Sequence, residues 1–286
     1  MSAYARNAKK GVKIGENRDA GELKENDAVP TKDELVLLIM GDPQYHYPCE
    51  MTNLECKAAS QPIRKNFRLD YFLRPLPPIL TNWTEAQDEA IKVESRFANK
   101  IQRNSLEKLI RSFPYEPSAL IINGDLTNFG HKPQLDEFVK GWMTKFPIPI
   151  LAGLGNHDCQ NNVDDCFANY CVDNMMDWYI KYAKNHSLDV DYTKDEKMVH
   201  EGTFAYSKRL CSLTGKNCAY VLQLNNALDY ERNITFAWAE KWRIKSTVSW
   251  LKRQLDLLAD FNLPILINVH QSEGVRMVKM RELLSD

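Results

Sequence analysis

The sequence has almost no excess charge and no long apolar run. Its 286 residues include 37 Lys and Arg against 38 Asp and Glu, which gives a formal net charge of −1. Without a positive excess no overall field attracts nucleic acid or an anionic membrane, so we expect no nucleic-acid partner. The longest apolar runs, at residues 35–40 and 148–154, are far shorter than the roughly 18 residues that cross a bilayer. The sequence therefore predicts no transmembrane segment.

Repeats and a secretory signal are also missing. No internal repeat is present, and the first thirty residues lack the apolar segment of a signal peptide. Their polar composition predicts a mobile tail at 1–33. We expect one domain at 34–286, which is large enough for an enzyme. Two long segments, at about 45–83 and 159–207, are predicted insertions, because loops beyond about 12 to 15 residues in a compact domain are usually functional.

The seven cysteines include two pairs with the same C-x6-C spacing, Cys49 with Cys56 and Cys211 with Cys218. Short loops of this kind suit disulfide bonds. Between Cys211 and Cys218 the sequence Thr-Gly-Lys-Asn predicts a hairpin turn that would bring the two sulfurs together. Three glycosylation sequons point the same way; they begin at Asn82, Asn185 and Asn233. These features favour a secreted or extracytoplasmic glycoprotein over a cytoplasmic protein, and chance matches in a reduced cytosolic protein are the alternative.

Four apolar segments each end in a polar cluster. They are "ELVLLIMGDPQ" (34–44), "SALIINGDLTNFG" (118–130), "IPILAGLGNHD" (148–158) and "LPILINVHQ" (263–271). Continuous apolar runs flanked by Gly and Pro are typical of strands buried on both faces. Helical spacing of apolar residues lies between them, at 86–112, 133–146 and 246–261. Strands that alternate with helices predict an α/β fold.

The polar clusters have the composition of a metal site. They contain Asp42 with Gln44, Asp125, Asn156 with His157 and Asp158, and His270. Because ligands bind outside the carboxyl ends of strands in an open α/β sheet, the clusters converge if their strands are neighbours. Oxygen donors with imidazole suit Mn, Fe, Zn or Mg, and no cysteine is present to make a thiolate site. Two such cations can clamp a phosphoryl group.

In their order along the chain, Asp42-x-Gln44, Gly124-Asp125, Gly155-Asn156-His157-Asp158 and Val269-His270 resemble the calcineurin-like metallophosphoesterase superfamily. The resemblance extends from residue 35 to residue 271. It implies a layered β-sandwich flanked by helices, in the four-layer α/β/β/α order. It also implies a phosphoesterase with two divalent metal ions, in which a metal-bridging hydroxide attacks phosphorus.

The resemblance assigns a role to each residue that matches a motif. Asp42 and Gln44 would hold the first metal, Asp125 would bridge the two, and Asn156 and His270 would hold the second. His157 would be the catalytic residue, which hydrogen-bonds the phosphate and protonates the leaving alkoxide. Imidazole suits this role because it exchanges protons near neutral pH.

Three departures from the family pattern change the expectations. Gln44 stands where Asp-x-His is more frequent, so Mn or Mg is expected over Zn, with Mn favoured. Asn128 occupies the position where some members carry an acidic residue that orients the histidine. No Gly-His-x-His follows His270, so we expect the fold and the metal centre to be incomplete on the C-terminal side.

The substrate is predicted only by class. We expect hydrolysis of a phosphodiester, diphosphate or phosphomonoester bond in a small molecule or a lipid headgroup, with His46, Asn128 and His131 as candidate substrate-binding residues. The aromatic residues of the first insertion either pack it against the body or line an apolar wall for the substrate. The alternative function is a non-catalytic or weakly active binding protein with an incomplete metal site. The sequence does not indicate the oligomeric state.

Overall fold

The computed structural model describes residues 2–6, 30–45, 85–159, 171–235, 241–272 and 275–285. Several predictions lie outside these residues: the substrate role of His46, the pairing of Cys49 with Cys56, the sequon at Asn82 and nearly all of the first insertion. Residues 2–6 of the predicted tail form a strand, and the division of the chain into tail and domain stays a prediction.

A small parallel sheet contains the first three predicted strands. These are β2 (Leu37–Met40), β3 (Ala119–Ile122) and β4 (Ile150–Ala152), in the order β2-β3-β4. All seven side chains of β3 and β4 are buried, as their continuous apolar runs predict. Because the strands are parallel, the carboxyl ends of all three lie at the same edge of the sheet.

The fourth predicted strand lies in a second, larger sheet. That sheet has the order β1-β10-β7-β6-β9-β8, with β5 paired to β6. Its strands are β1 (Ser2–Arg6), β5 (Asp189–Lys194), β6 (Val199–Cys211), β7 (Cys218–Gln223), β8 (Arg232–Thr235), β9 (Lys241–Ile244) and β10 (Ile265–Val269). The strand that precedes His270, β10, runs parallel to β7, so the four strands are not all neighbours in one sheet and their polar clusters meet in another way.

The two sheets pack face to face, and this packing brings β10 to the first three strands. The Tyr206 hydroxyl of β6 donates to the Ala152 carbonyl of β4 at 3.0 Å. The Asn123 side chain, just beyond β3, donates to the Val269 carbonyl of β10 at 2.9 Å. The ends of strands from both sheets therefore meet on one side of the sandwich.

Helices cover the outer faces of both sheets. They are α1 (Glu85–Ser112), α2 (Lys132–Phe138), which continues as a π-helical turn (Val139–Met143), α3 (Asn156–Cys159), α4 (Cys171–Asn185), α5 (Val248–Leu258) and α6 (Val275–Ser285). The Tyr182 hydroxyl of α4 donates to the Ile150 carbonyl at 2.7 Å, and α5 packs Leu251 and Leu255 on Leu222 and Ile267. The helix, sheet, sheet, helix order confirms the predicted layered α/β fold. No helix in the described ranges is long and apolar enough to cross a membrane.

The hairpin between β6 and β7 confirms one predicted disulfide bond. Cys211 and Cys218 are register partners at the end of the two strands, and their sulfurs are bonded. The sequons at Asn185 and Asn233 are exposed, as glycosylation requires, and glycosylation itself stays a prediction.

Helix α1 has its apolar and polar faces in an unexpected arrangement. The side chains of Val93, Phe97 and Ile101, which predict the helix by their spacing, are 55%, 63% and 49% exposed. On the opposite side of the helix Asn99 is only 2% exposed and faces the body of the protein. A polar residue buried in this way requires hydrogen-bond partners, which are described below.

Candidate metal centre

The first two polar clusters lie on turns with unusual backbone conformations. Asp42, Gln44 and Asp125 have φ values of 57°, 37° and 51°, in the left-handed region that non-glycine residues rarely adopt. Hydrogen bonds between the two turns hold them in place: the Gln44 amide donates to the Asp125 carbonyl at 2.8 Å, and the Asp42 amide to the Gly124 carbonyl at 3.2 Å. Strained backbone of this kind is frequent at functional sites.

Two glycines allow the strand ends to approach one another. A Cβ atom on Gly155 would collide with Oδ1 of Asp125, and one on Gly124 would lie 2.8 Å from Nδ1 of His270. Gly124 also has a φ of 77°. The glycines of the Gly124-Asp125 and Gly155-Asn156 motifs therefore have a steric reason to be present.

Three side chains from three strand ends converge. In the described part of the chain, Asp42, Asp125 and His270 form a group whose potential ligand atoms all lie within 4.8 Å of one another. Nε2 of His270 is 3.1 Å from Oδ2 of Asp125, and Nδ1 is 3.9 Å from Oδ1 of Asp42. Two carboxylates and an imidazole at this spacing suit a divalent cation.

Two amide side chains complete the cluster. Nε2 of Gln44 lies 3.1 Å from Oδ2 of Asp125. Oδ1 of Asn156 lies 3.2 Å from Nε2 of His270 and accepts a hydrogen bond from Nε2 of Gln271 at 2.8 Å. The structure therefore brings together all five residues that were predicted as metal ligands.

The ring of His270 is oriented by the backbone. Nδ1 lies 2.8 Å from the Asn123 carbonyl, and because a carbonyl only accepts, Nδ1 carries a proton in this contact. Nε2 is thus the nitrogen that faces Asp125 and Asn156. Burial lowers the pKa of His270, but the hydrogen bond and charge of Asp125 outweigh burial and raise the pKa to about 9. The carboxylates therefore favour positive charge at this point.

His157 lies beside the cluster. Its backbone N–H donates to Oδ1 of Asp125 at 2.9 Å, and its Nδ1 lies 2.7 Å from the carbonyl of Asn128. The latter contact supplies the orientation that an acidic residue gives in other proteins with this pattern. It comes from the backbone of Asn128, so the substrate-binding role of the Asn128 side chain stays a prediction.

Asp158 connects two loops and lies too deep to contact substrate. Its carboxylate is 1% exposed and accepts bonds from the backbone N–H groups of Leu126, Thr127 and Gly155, and from the Thr127 hydroxyl, at 2.8 to 3.1 Å. Burial, and then the charge of Asp125, raise its pKa to about 6, although the backbone bonds act in the opposite direction. Asp158 thus fixes the loop after β3 to the loop after β4.

The remaining predicted substrate residue is buried next to a helix. His131 precedes α2, is 4% exposed and has its ring 5.9 Å from that of Phe129. Its proposed contact with substrate stays a prediction. Gln271 and Asp158, to which the sequence assigned no role, are identified by their contacts with predicted ligands and with the loops that carry them.

The comparisons with known proteins agree with this geometry. A family model described as calcineurin-like phosphoesterase matches residues 35–273, a range that contains all four polar clusters. Searches of curated proteins and of solved structures gave no significant match.

Proposed function

Since the chain belongs to the calcineurin-like phosphoesterase family, we propose that it is a metal-dependent phosphoesterase whose site lies where β2, β3, β4 and β10 end. The observation that carries the proposal is the convergence of Asp42, Asp125 and His270 from both sheets. When bound, two divalent cations supply Lewis acidity for the phosphoryl oxygens and for the attacking water.

The ligand roles that we propose are those of the family pattern, and the contacts of Asp125 support them. Asp125 is central, since its two carboxylate oxygens reach the His157 amide on one side and the His270 and Gln44 side chains on the other. We assign Asp125 to both cations. Asp42 and Gln44 would hold the first cation, and Asn156 and His270 would hold the second. The oxygen of Gln44 in place of a second imidazole supports Mn²⁺ or Mg²⁺ over Zn²⁺, with Mn²⁺ favoured.

His157 has the geometry of a proton donor. Nδ1 is bound to the Asn128 carbonyl, which leaves Nε2 to face the substrate. In the protonated ring Nε2 donates its proton to the leaving oxygen as the P–O bond breaks. The proposed substrate is a phosphodiester, diphosphate or phosphomonoester in a small molecule or lipid headgroup.

Removal of the metal tests the function directly. Treatment with EDTA should abolish hydrolysis of a nitrophenyl phosphodiester, because the carboxylates alone repel the anionic substrate. Added Mn²⁺ should restore the activity, and added Ca²⁺, which prefers more and longer oxygen contacts, should restore less. Hydrolysis that persists unchanged in EDTA would contradict the proposal. A protein that binds Mn²⁺ with no hydrolysis of mono- or diesters would favour the alternative, a non-catalytic binding protein.

Gln271 provides a more local test of the second metal position. Gln271→Ala removes the donor to Oδ1 of Asn156, so that amide is free to rotate away from His270. We expect Mn²⁺ affinity to fall about tenfold, the lower range for loss of a group that orients a ligand. Titration calorimetry measures the change, and Gln102→Ala on the exposed side of α1 is the control. Equal affinities in the two variants would exclude this role.

A further inference from the structure

We propose that Asn99 of helix α1 is a positioning residue for the first metal, because it fixes the metal loop, defined as residues 42–45. This inference rests on the proposed function, which makes Asp42 and Gln44 ligands. Asn99 itself is 2% exposed and touches no proposed ligand side chain. It acts on the backbone that carries them.

The hydrogen bonds of Asn99 use its whole amide. Nδ2 donates to the Pro43 carbonyl at 2.7 Å and to the Ser95 carbonyl at 3.0 Å. Oδ1 accepts from the indole N–H of Trp142 at 2.8 Å, and Trp142 is fully buried. An indole only donates and a carbonyl only accepts, so the partners determine which way the amide points. Asn99 thus joins α1, the π-helical turn and the metal loop.

Two further residues of α1 contact the same loop from the same side of the helix. The Ser95 hydroxyl donates to the Gln44 carbonyl at 3.3 Å, and the Arg103 guanidinium donates to the Tyr45 hydroxyl. Ser95, Asn99 and Arg103 are spaced four residues apart, which places them on one helix face. This polar stripe is the inward side of α1 over residues 95–103, whereas the C-terminal part of the helix packs Leu106 and Ile110 on the core.

The backbone amides of the metal loop are bound by the loop after β3, whereas its carbonyls face α1 and need donors there. The amides of Gln44 and Tyr45 donate to the carbonyls of Asp125 and Leu126 at 2.8 and 3.3 Å. The carbonyls of Pro43 and Gln44 are bound instead by α1, and Pro43 is buried. A buried carbonyl without a donor is unfavourable, so the loop would shift if Asn99 were removed. Asp42 and Gln44, both in the left-handed region, would move with it.

Two substitutions test the proposal through metal binding. Asn99→Asp keeps the size and the acceptor for Trp142 but loses both donors, and Asn99→Ala loses all three contacts. For each we expect one of the two Mn²⁺ ions to bind about 10- to 100-fold more weakly, as for other groups that orient a ligand. The second ion should bind as in the unaltered protein. Asn104→Asp and Asn104→Ala are matched controls, since Asn104 is exposed on the same helix.

Calorimetric titration with Mn²⁺ alone and Mn²⁺ electron paramagnetic resonance give the result without any substrate. Hydrolysis by Asn99→Asp should recover at high Mn²⁺ with KM unchanged, which a general folding defect would not show. Circular dichroism shows whether each variant folds. If Asn99→Ala does not fold, the Mn²⁺ affinity of Asn99→Asp alone tests the proposal. Two Mn²⁺ ions bound with unaltered affinity by Asn99→Asp overturn this inference alone. Absence of Mn²⁺ binding by the unaltered protein overturns the proposed function.

Discussion

Replacement of Asp125 by Asn should lower kcat/KM by about 10³-fold, the largest effect we expect from a single substitution. Asp125 is 3% exposed, and its carboxylate contacts Gln44, His157 and His270 at 2.9 to 3.1 Å. Asparagine removes the negative charge between the proposed cations and turns an N–H donor toward groups that already donate. Metal ions supply several kcal/mol of transition-state stabilisation, and each 1.36 kcal/mol corresponds to a factor of ten, which gives about 10³.

The control for Asp125→Asn is Asp136→Asn, which makes the same change of charge in an exposed ion pair with Lys132. Inductively coupled plasma mass spectrometry of both variants separates loss of metal from loss of the fold. We expect at least one Mn²⁺ to be lost from Asp125→Asn and none from the control. Activity within about threefold of the unaltered protein, about 0.65 kcal/mol, would rule out a bridging role for Asp125.

The strands of the small sheet were the part of the fold most accessible to prediction. Each is a short apolar run, fully buried in β3 and β4 and half-buried in β2, so composition alone marks it. The run that becomes β10 has the same composition but pairs with β7 in the other sheet. Pairing depends on contacts between distant parts of the chain, and a local pattern does not contain them. The polar clusters converge all the same, because the two packed sheets bring their strand ends to one side of the sandwich.

Helix α1 shows a different limit of local patterns. Its periodicity identified the helix, and Leu109 and Ile110 pack on the core as such a pattern predicts, but the direction of the apolar face over residues 93–101 was not identified. Val93, Phe97 and Ile101 are exposed, while Asn99 is buried because its partner, the Pro43 carbonyl, lies 56 residues earlier in the chain. Hydrophobic periodicity assumes that the apolar face is buried. That assumption does not identify a polar stripe that is buried because it binds backbone carbonyls.

The residues that converge at the site could be chosen from the sequence by their type and by the family pattern, and their role as metal ligands stays a prediction. Asp42, Gln44, Asp125, Asn156 and His270 are all brought together, and their types are those that hard or intermediate cations prefer. The groups that orient them were not predictable. The rings of His157 and His270 are held by the backbone carbonyls of Asn128 and Asn123, and every residue type has such a carbonyl.

Replacement of His157 by Ala should lower kcat by about 10²- to 10⁴-fold for an alkyl phosphate ester, the range for loss of a general acid or base. The backbone N–H of residue 157, which binds Asp125, survives the substitution. We therefore expect Mn²⁺ stoichiometry and affinity to stay unchanged. This combination, lost turnover with an intact metal centre, distinguishes His157 from Asp125.

The leaving group provides the sharper form of this experiment. An acidic phenol departs without a proton, so His157→Ala should hydrolyse a nitrophenyl ester with a loss below about tenfold while the alkyl ester loses far more. His186→Ala is the matched control, because Nδ1 of His186 also lies against a backbone carbonyl, that of Tyr182 at 2.8 Å, and His186 is exposed just after α4. It should leave both rates unchanged. Equal losses for the two esters in His157→Ala would mean that His157 binds the phosphoryl group in the transition state and does not protonate the leaving oxygen.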